Sequence, residues 1–185
     1  MCASRRVLIV ALACLSNSCL STICLSSFAA AQQSDQVIAE RVLGPQWRQM
    51  SRRAGMIFAG TLLAAEAPTA ATDGATPGAT PAVQLSFRVD EAIAGVERGQ
   101  ILTIREWAGA WSMHRLMRSG QHILLFLYPP SRLGFTSPVG GSLGQVALDP
   151  SGKNVVERKQ PRGTVAKASV NQLERAIRSA RSEEE

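Results

Sequence analysis

Apolar and polar positions alternate most cleanly where Val83, Leu85, Phe87 and Val89 interleave with Gln84, Ser86, Arg88 and Asp90. A repeat of two residues sends successive side chains to opposite faces of an extended chain. This stretch therefore predicts a strand with one wet face. Four other segments read as strands. Residues 55–66, GMIFAGTLLAAE, are an apolar run with Gly60 inside it; such a glycine marks a bulge or the close approach of another backbone. ILTIREW (101–107) follows a turn over residues 94–100, and GQHILLFLYPP (120–130) is apolar on both faces and stopped by Pro129 and Pro130. QVALD (145–149) is a short fifth strand closed by PSGKN.

Helical patterning brackets the strands. Residues 35–54 read as a helical region broken at Gly44 and Pro45, with Val37, Ile38 and Val42 on one side before the break and Trp47 and Met50 after it. Pro45 suits the first position of a second short helix. In SVNQLERAIRSA (169–180), Ser169 is placed as an N-cap with Gln172 at the capping-box position, and Val170, Leu173 and Ile177 form an apolar stripe. Residues 67–82 hold the unit GATP twice and no large apolar side chain. They cannot bury enough surface to offset their ordering entropy, and are predicted as a flexible loop between two strands. The fold class that emerges is mainly β: a small five-stranded OB-like antiparallel barrel with an N-terminal helical segment and a C-terminal helix. Five short strands can close in this way without leaving edges exposed.

The N-terminus changes what the composition means. Arg5 and Arg6 precede the apolar run VLIVALACL, a Ser/Cys-rich stretch follows, and Ala29 and Ala31 fit a small-x-small cleavage pattern. Residues 1–31 read as a secretory signal peptide, with an apolar run too short to span a bilayer stably. Secreted or periplasmic localisation follows, with no stable membrane insertion after cleavage near Ala31. The remaining organisation is a helical segment over 32–54, a barrel over 55–156 with its loop at 67–82, and a basic linker with the C-terminal helix over 157–185. All four cysteines (Cys2, Cys14, Cys19 and Cys24) lie inside the signal. A cysteine-free exported chain leaves no disulfide framework, thiol nucleophile or Cys-based zinc site. Losing Arg5 and Arg6 also trims the net charge of +6 by two. The basic residues are most frequent from Lys153 to Arg181, as on a tail and a solvated helix face.

The order of segments is similar to a known group. AGMIFAGTLLAAE, a variable insert, FRVDEAIAGVERGQILTIREWA and GQHILLFLY resemble bacterial exported proteins with a netrin-module or tissue-inhibitor-of-metalloproteinase-like barrel. The resemblance covers roughly residues 54–149; GPQW, REWAGAW and LYPPSRLGFTSPVGG extend it toward uncharacterised secreted proteins of that kind. It implies an OB-type fold and, by fold analogy, a secreted protease or surface complex as partner class. Animal inhibitors of this type bind a protease zinc through an N-terminal cysteine. A chain beginning QQSDQ after cleavage has none, so that chemistry does not carry over.

Candidate chemistry is sparse. GGSLG (140–144) matches the G-x-S-x-G nucleophile elbow in letters, but that motif needs a strand before it, a helix after it and a later histidine, and no histidine follows His122. A glycine-rich turn explains Ser142 better. His114 and His122 would need a carboxylate such as Glu106 to hold a metal, and two strand-end histidines are more often surface residues. Asp90 and Glu91 are adjacent, so on a strand they point apart rather than forming an acid/base pair. No motif calls for a cofactor or a catalytic residue. Single-stranded nucleic acid, a ligand of many OB barrels, requires aromatics on a basic sheet face, and the wet face of the second strand has none.

What remains are two tryptophans in REWAGAWSMHR. Alternation puts Trp107 on one face with Arg105 and Thr103, opposite Leu102 and Ile104. One reading makes Trp107 and Trp111 a buried lid over the core. The other makes an aromatic and arginine rim that grips a partner, with Trp107, Trp111, Arg105, Arg115 and Arg118 joined by Arg132 and Phe135 of the PPSRLGFTSP loop. The functional reading is a non-catalytic exported module that binds another secreted or surface protein. The alternative is binding of a carbohydrate or cell-envelope polymer by the same aromatics.

Overall fold

A computed structural model of the chain describes residues 33–66, 82–107, 118–156 and 168–183. The predicted signal segment, most of the 67–82 loop, Trp111, His114, Arg115 and the basic linker lie outside these residues. Two helices open the described chain: α1 over 33–43 and α2 over Trp47–Arg53. They part where the sequence predicts, at Gly44, which takes a left-handed φ of 89° that costs a glycine little. Pro45 falls in this turn rather than at the first helical position, because α2 starts only at Trp47.

Five strands follow: β1 (Met56–Glu66), β2 (Ala82–Ala94), β3 (Ile101–Trp107), β4 (His122–Leu127) and β5 (Gln145–Ala147). They form one antiparallel sheet in the order β3-β2-β1-β4-β5. β1 is central because it is apolar on both faces, as is β4 beside it. The β1–β2 register shifts three times along its length. One shift is at Gly60, where a Cβ would stand 2.7 Å from the carbonyl oxygen of Arg88. The glycine thus permits the close backbone approach expected of it.

The sheet buries both faces. On one, Ile57, Ala59, Ile93, Leu124 and Phe126 pack under the three helices, against Ala39, Leu43, Trp47, Leu173 and Ile177. On the other, Met56, Phe58, Leu62, Val83, Leu85, Phe87, Val89, Ile104, Ile123, Leu125 and Leu127 pack against one another, with Phe58 and Phe87 edge to face at 5.8 Å. A sheet can bury a face against itself only by curling. The curl stops short of a closed barrel: β3 and β5 are edges and do not pair. Residues 135–138 instead link β3 to the end of β4. Thr136 N–H donates to the Arg105 carbonyl (2.9 Å), Tyr128 N–H donates to the Ser137 carbonyl (3.0 Å), and single bridges join Arg105 to Phe135 and Leu127 to Pro138.

The last helix, α3 (Val170–Ser182), carries the predicted capping box at Ser169 and Gln172 and buries Val170, Leu173 and Ile177. Its arginines are clasps rather than a free basic face. Arg175 grips Asp35 of α1 through two bonds (2.7 and 3.1 Å), Arg181 donates to the carbonyls of Ser51 and Ala54, and Arg178 donates to that of Ala92. The predicted face of α1 holds in part: Ile38 and Val42 pack against the core. Asp35, Ala39 and Leu43 point inward, whereas Val37 is 61 % exposed. No helix among the described residues is long and apolar enough to cross a membrane.

Candidate interaction surface

Strand β3 alternates as its sequence requires. Ile101, Thr103, Arg105 and Trp107 are exposed, and Ile104 and Glu106 are buried. Trp107 is 54 % exposed, so it is no lid over the core. Pairing with β2 sets Arg105 beside Gln84, Thr103 beside Ser86 and Ile101 beside Arg88. The Ser86 and Thr103 hydroxyls meet at 3.1 Å.

The loop after β4 adds the second aromatic. Ser131 shapes it: its carbonyl accepts from Gly134 N–H (2.8 Å), its hydroxyl accepts from Phe135 N–H (3.1 Å), and its own N–H donates to the Phe135 carbonyl (2.8 Å). Thr136 Oγ1 donates to the Tyr128 carbonyl at 2.6 Å. Held this way, the Phe135 ring lies under the Arg105 guanidinium, 4.9 Å from its centroid. Leu133 stands 73 % exposed at the tip beside exposed Arg132. Of the residues singled out in the sequence, the structure joins Arg105 to Phe135 and places Trp107 on the same strand face as Arg105. Arg132 shares the Phe135 loop without a contact to the stack, Arg118 is exposed ahead of β4, and Trp111 and Arg115 fall outside the described residues.

On the same side of the sheet, toward β4, lies a polar cluster that sequence reasoning did not assemble. Thr61 Oγ1 donates to Asp90 Oδ2 (2.6 Å) and accepts from the Arg88 guanidinium (3.3 Å); His122 Nδ1 is 3.0 Å away. The hydroxyl has one proton and it serves Asp90, so the third contact requires the hydrogen on Nδ1. Arg88 also donates to Asp90 Oδ1 at 3.0 Å. Burial works to raise the pKa of Asp90. The bonds from Thr61 and Arg88 and the charges of Arg88 and His122 outweigh it, leaving the carboxyl below its ordinary value. These bonds join side chains of three strands, β1, β2 and β4. A turn from Asp149 to Asn154 closes over it, with Gly152 so near that a Cβ would stand 2.9 Å from His122 Nδ1. Asp90 and His122 are distant in the sequence, and the β1–β2 and β1–β4 registers bring them to Thr61.

Glu106 is the outlier. It sits on the inner, apolar face of the sheet, 2 % exposed, and desolvation pushes its pKa up to about 7. GGSLG forms a 3-10 turn at Gly141–Gly144 that leads into β5, not a strand-to-helix elbow. A Cβ on Gly144 would stand 2.5 Å from the Val139 carbonyl oxygen, which accounts for the glycine by packing. No family model matches the sequence, and no curated protein or solved structure matches it either.

Proposed function

We propose that this chain is an exported, non-catalytic module that binds another secreted or surface protein through the surface of Trp107, Arg105, Phe135 and Leu133. The observation that carries the reading is the Arg105 guanidinium stacked on Phe135 beside a half-exposed Trp107. Tryptophan and arginine dominate binding hot spots, and here they stand on one strand face with Phe135 against them. The self-bonded turn at Ser131 supports it, because a pre-shaped loop loses little freedom on binding. The scaffold in this reading is an OB-like barrel, partly open, with residues 135–138 filling the gap between β3 and β4. Its likeness to netrin-module and metalloproteinase-inhibitor-like barrels suggests a secreted protease as one partner class. Signal cleavage near Ala31 and release from the cytoplasm belong to the same proposal.

The test is to express the chain in its native host's exported compartment, crosslink, and identify what co-purifies. One dominant protein in near-equal amount, lost in the Trp107→Ala and Arg105→Ala variants, supports the reading. Recovery unchanged in both variants moves the contact elsewhere. A second reading, binding of a cell-envelope polysaccharide, draws on the row of Gln84, Ser86 and Thr103, whose amide and hydroxyls lie beside the aromatics. It is favoured if no protein is captured and the chain binds isolated envelope polysaccharide saturably, with loss in Trp107→Ala.

A further inference from the structure

Among the described residues the inner face of the curled sheet is mainly apolar, and two polar side chains stand on it: Gln145 opposite Leu125 and Glu106 opposite Val83. Glu106 lies there with 2 % of its surface exposed, and no group among the described residues bonds to its carboxyl or pairs with it. Among the described residues, the elements around it offer nothing titratable. β2 presents Val83, Leu85 and Phe87; β4 presents Ile123, Leu125 and Leu127. The segment bonded to the neighbouring Arg105 carries Phe135, Thr136, Ser137 and Pro138. Arg105 itself points to the other face and stacks on Phe135, and Arg88, Asp90 and His122 lie on that other face too. A lone carboxyl in such a place keeps its proton well above the usual carboxylate range, here to about 7.

Position gives the group leverage. β3 is an edge strand, and Glu106 is its penultimate residue. The seam outside this end of the strand is slight: the Thr136 N–H on the Arg105 carbonyl and the single bridge from Arg105 to Phe135. An ionised carboxylate reaches water most directly if the strand end turns outward. That movement is resisted on one side by the pairing of Val83 with Glu106 and Ala82 with Trp107, and on the other by this slight seam alone.

We propose that Glu106 is a proton-operated latch on the edge of the sheet. Protonated, it lets the end of β3 lie against the apolar face and keeps the Thr136 bond closed. Ionised, it draws the strand end toward water and opens the seam that positions Trp107, Arg105 and Phe135. The latch stands whatever that surface binds; only its effect on a partner rests on the function proposed above.

The experiment is an NMR titration of the whole chain, with carbon-13 in the glutamate carboxyls, between about pH 5 and about pH 9. The expected result is that the Glu106 carboxyl and the amides of Arg105, Phe135 and Thr136 move together with a midpoint near 7. Glu106→Gln should abolish the amide movement, and His122→Asn, which removes the titratable ring on the opposite face, should leave it intact. A Glu106 carboxyl that titrates near its ordinary 4.5 overturns the proposal. So does amide movement that survives Glu106→Gln or disappears with His122→Asn. The wild-type titration decides alone if the Gln variant does not fold, and no binding partner is needed for any arm.

Discussion

Glu106 and Asp90 sit on neighbouring strands, yet their surroundings push their acidities in opposite directions. Asp90 is held down by donors that reward its charge; Glu106 is held up by surroundings that offer none. For Glu106 the folded value of about 7 lies above the ordinary 4.5. Between those values the folded protein keeps a proton that the unfolded chain has lost. The resulting stability is complete below the lower value and lost as pH rises through the upper one. At about 1.4 kcal/mol per pKa unit, the full effect is about 3 kcal/mol. Urea unfolding at about pH 5 and about pH 8 should show wild type losing that much more than Glu106→Gln, and parallel losses would refute it. Asp90 has the reverse sign: its contribution is present above its unfolded pKa and fades as pH falls through the folded one. Thr61→Val, which keeps shape but strands Asp90 Oδ2 and the His122 Nδ1–H, should cost about 2 kcal/mol at neutral pH. It should also flatten the acid side of the stability curve, whereas Thr61→Ser should do neither.

Among the elements, legibility followed the range of the interaction that decides each one. The strand from Val83 to Val89 and the capping box of Ser169 and Gln172 depend on residues within a few positions, and both stand where the sequence puts them. The face of α1 does so only in part, at Ile38 and Val42 but not at Val37. Val37, Ile38 and Val42 form a plausible apolar side, but the rotation is set by Asp35 bonding to Arg175, 140 residues away. The same distance hides the role of the α3 arginines, whose spacing alone reads as a solvated face. At the candidate surface, alternation along β3 was enough to expose Trp107 and Arg105, while the Thr61 cluster needed two registers, one of them shifted by bulges. Arg175→Met tests the clasp: it leaves a 6 % exposed Asp35 side chain without its guanidinium. It should cost about 2 kcal/mol in thermal or urea unfolding while leaving the circular dichroism of the sheet unchanged.

For the whole molecule, the division between packing and contact surface predicts a contrast between tryptophans. Trp47 is fully buried among the helices, with its indole N–H lacking a partner among the described residues. Trp47→Ala should cost about 3–5 kcal/mol, as for other buried aromatics. Trp107→Ala should cost under about 1 kcal/mol, since more than half of that side chain already faces water. Equal losses in differential scanning calorimetry would mean that Trp107 belongs to the core. The clasp between Asp35 and Arg175 reaches beyond stability. It joins the first described helix to the last, so a chain emerging from its N-terminus completes the sheet before it owns the helix that covers it. Until α3 arrives, Ile57, Leu124 and Phe126 are roofed only by the first two helices, and closing a loop this long is slow. The molecule therefore carries a built-in delay: α3 cannot dock until residues 170–182 have emerged.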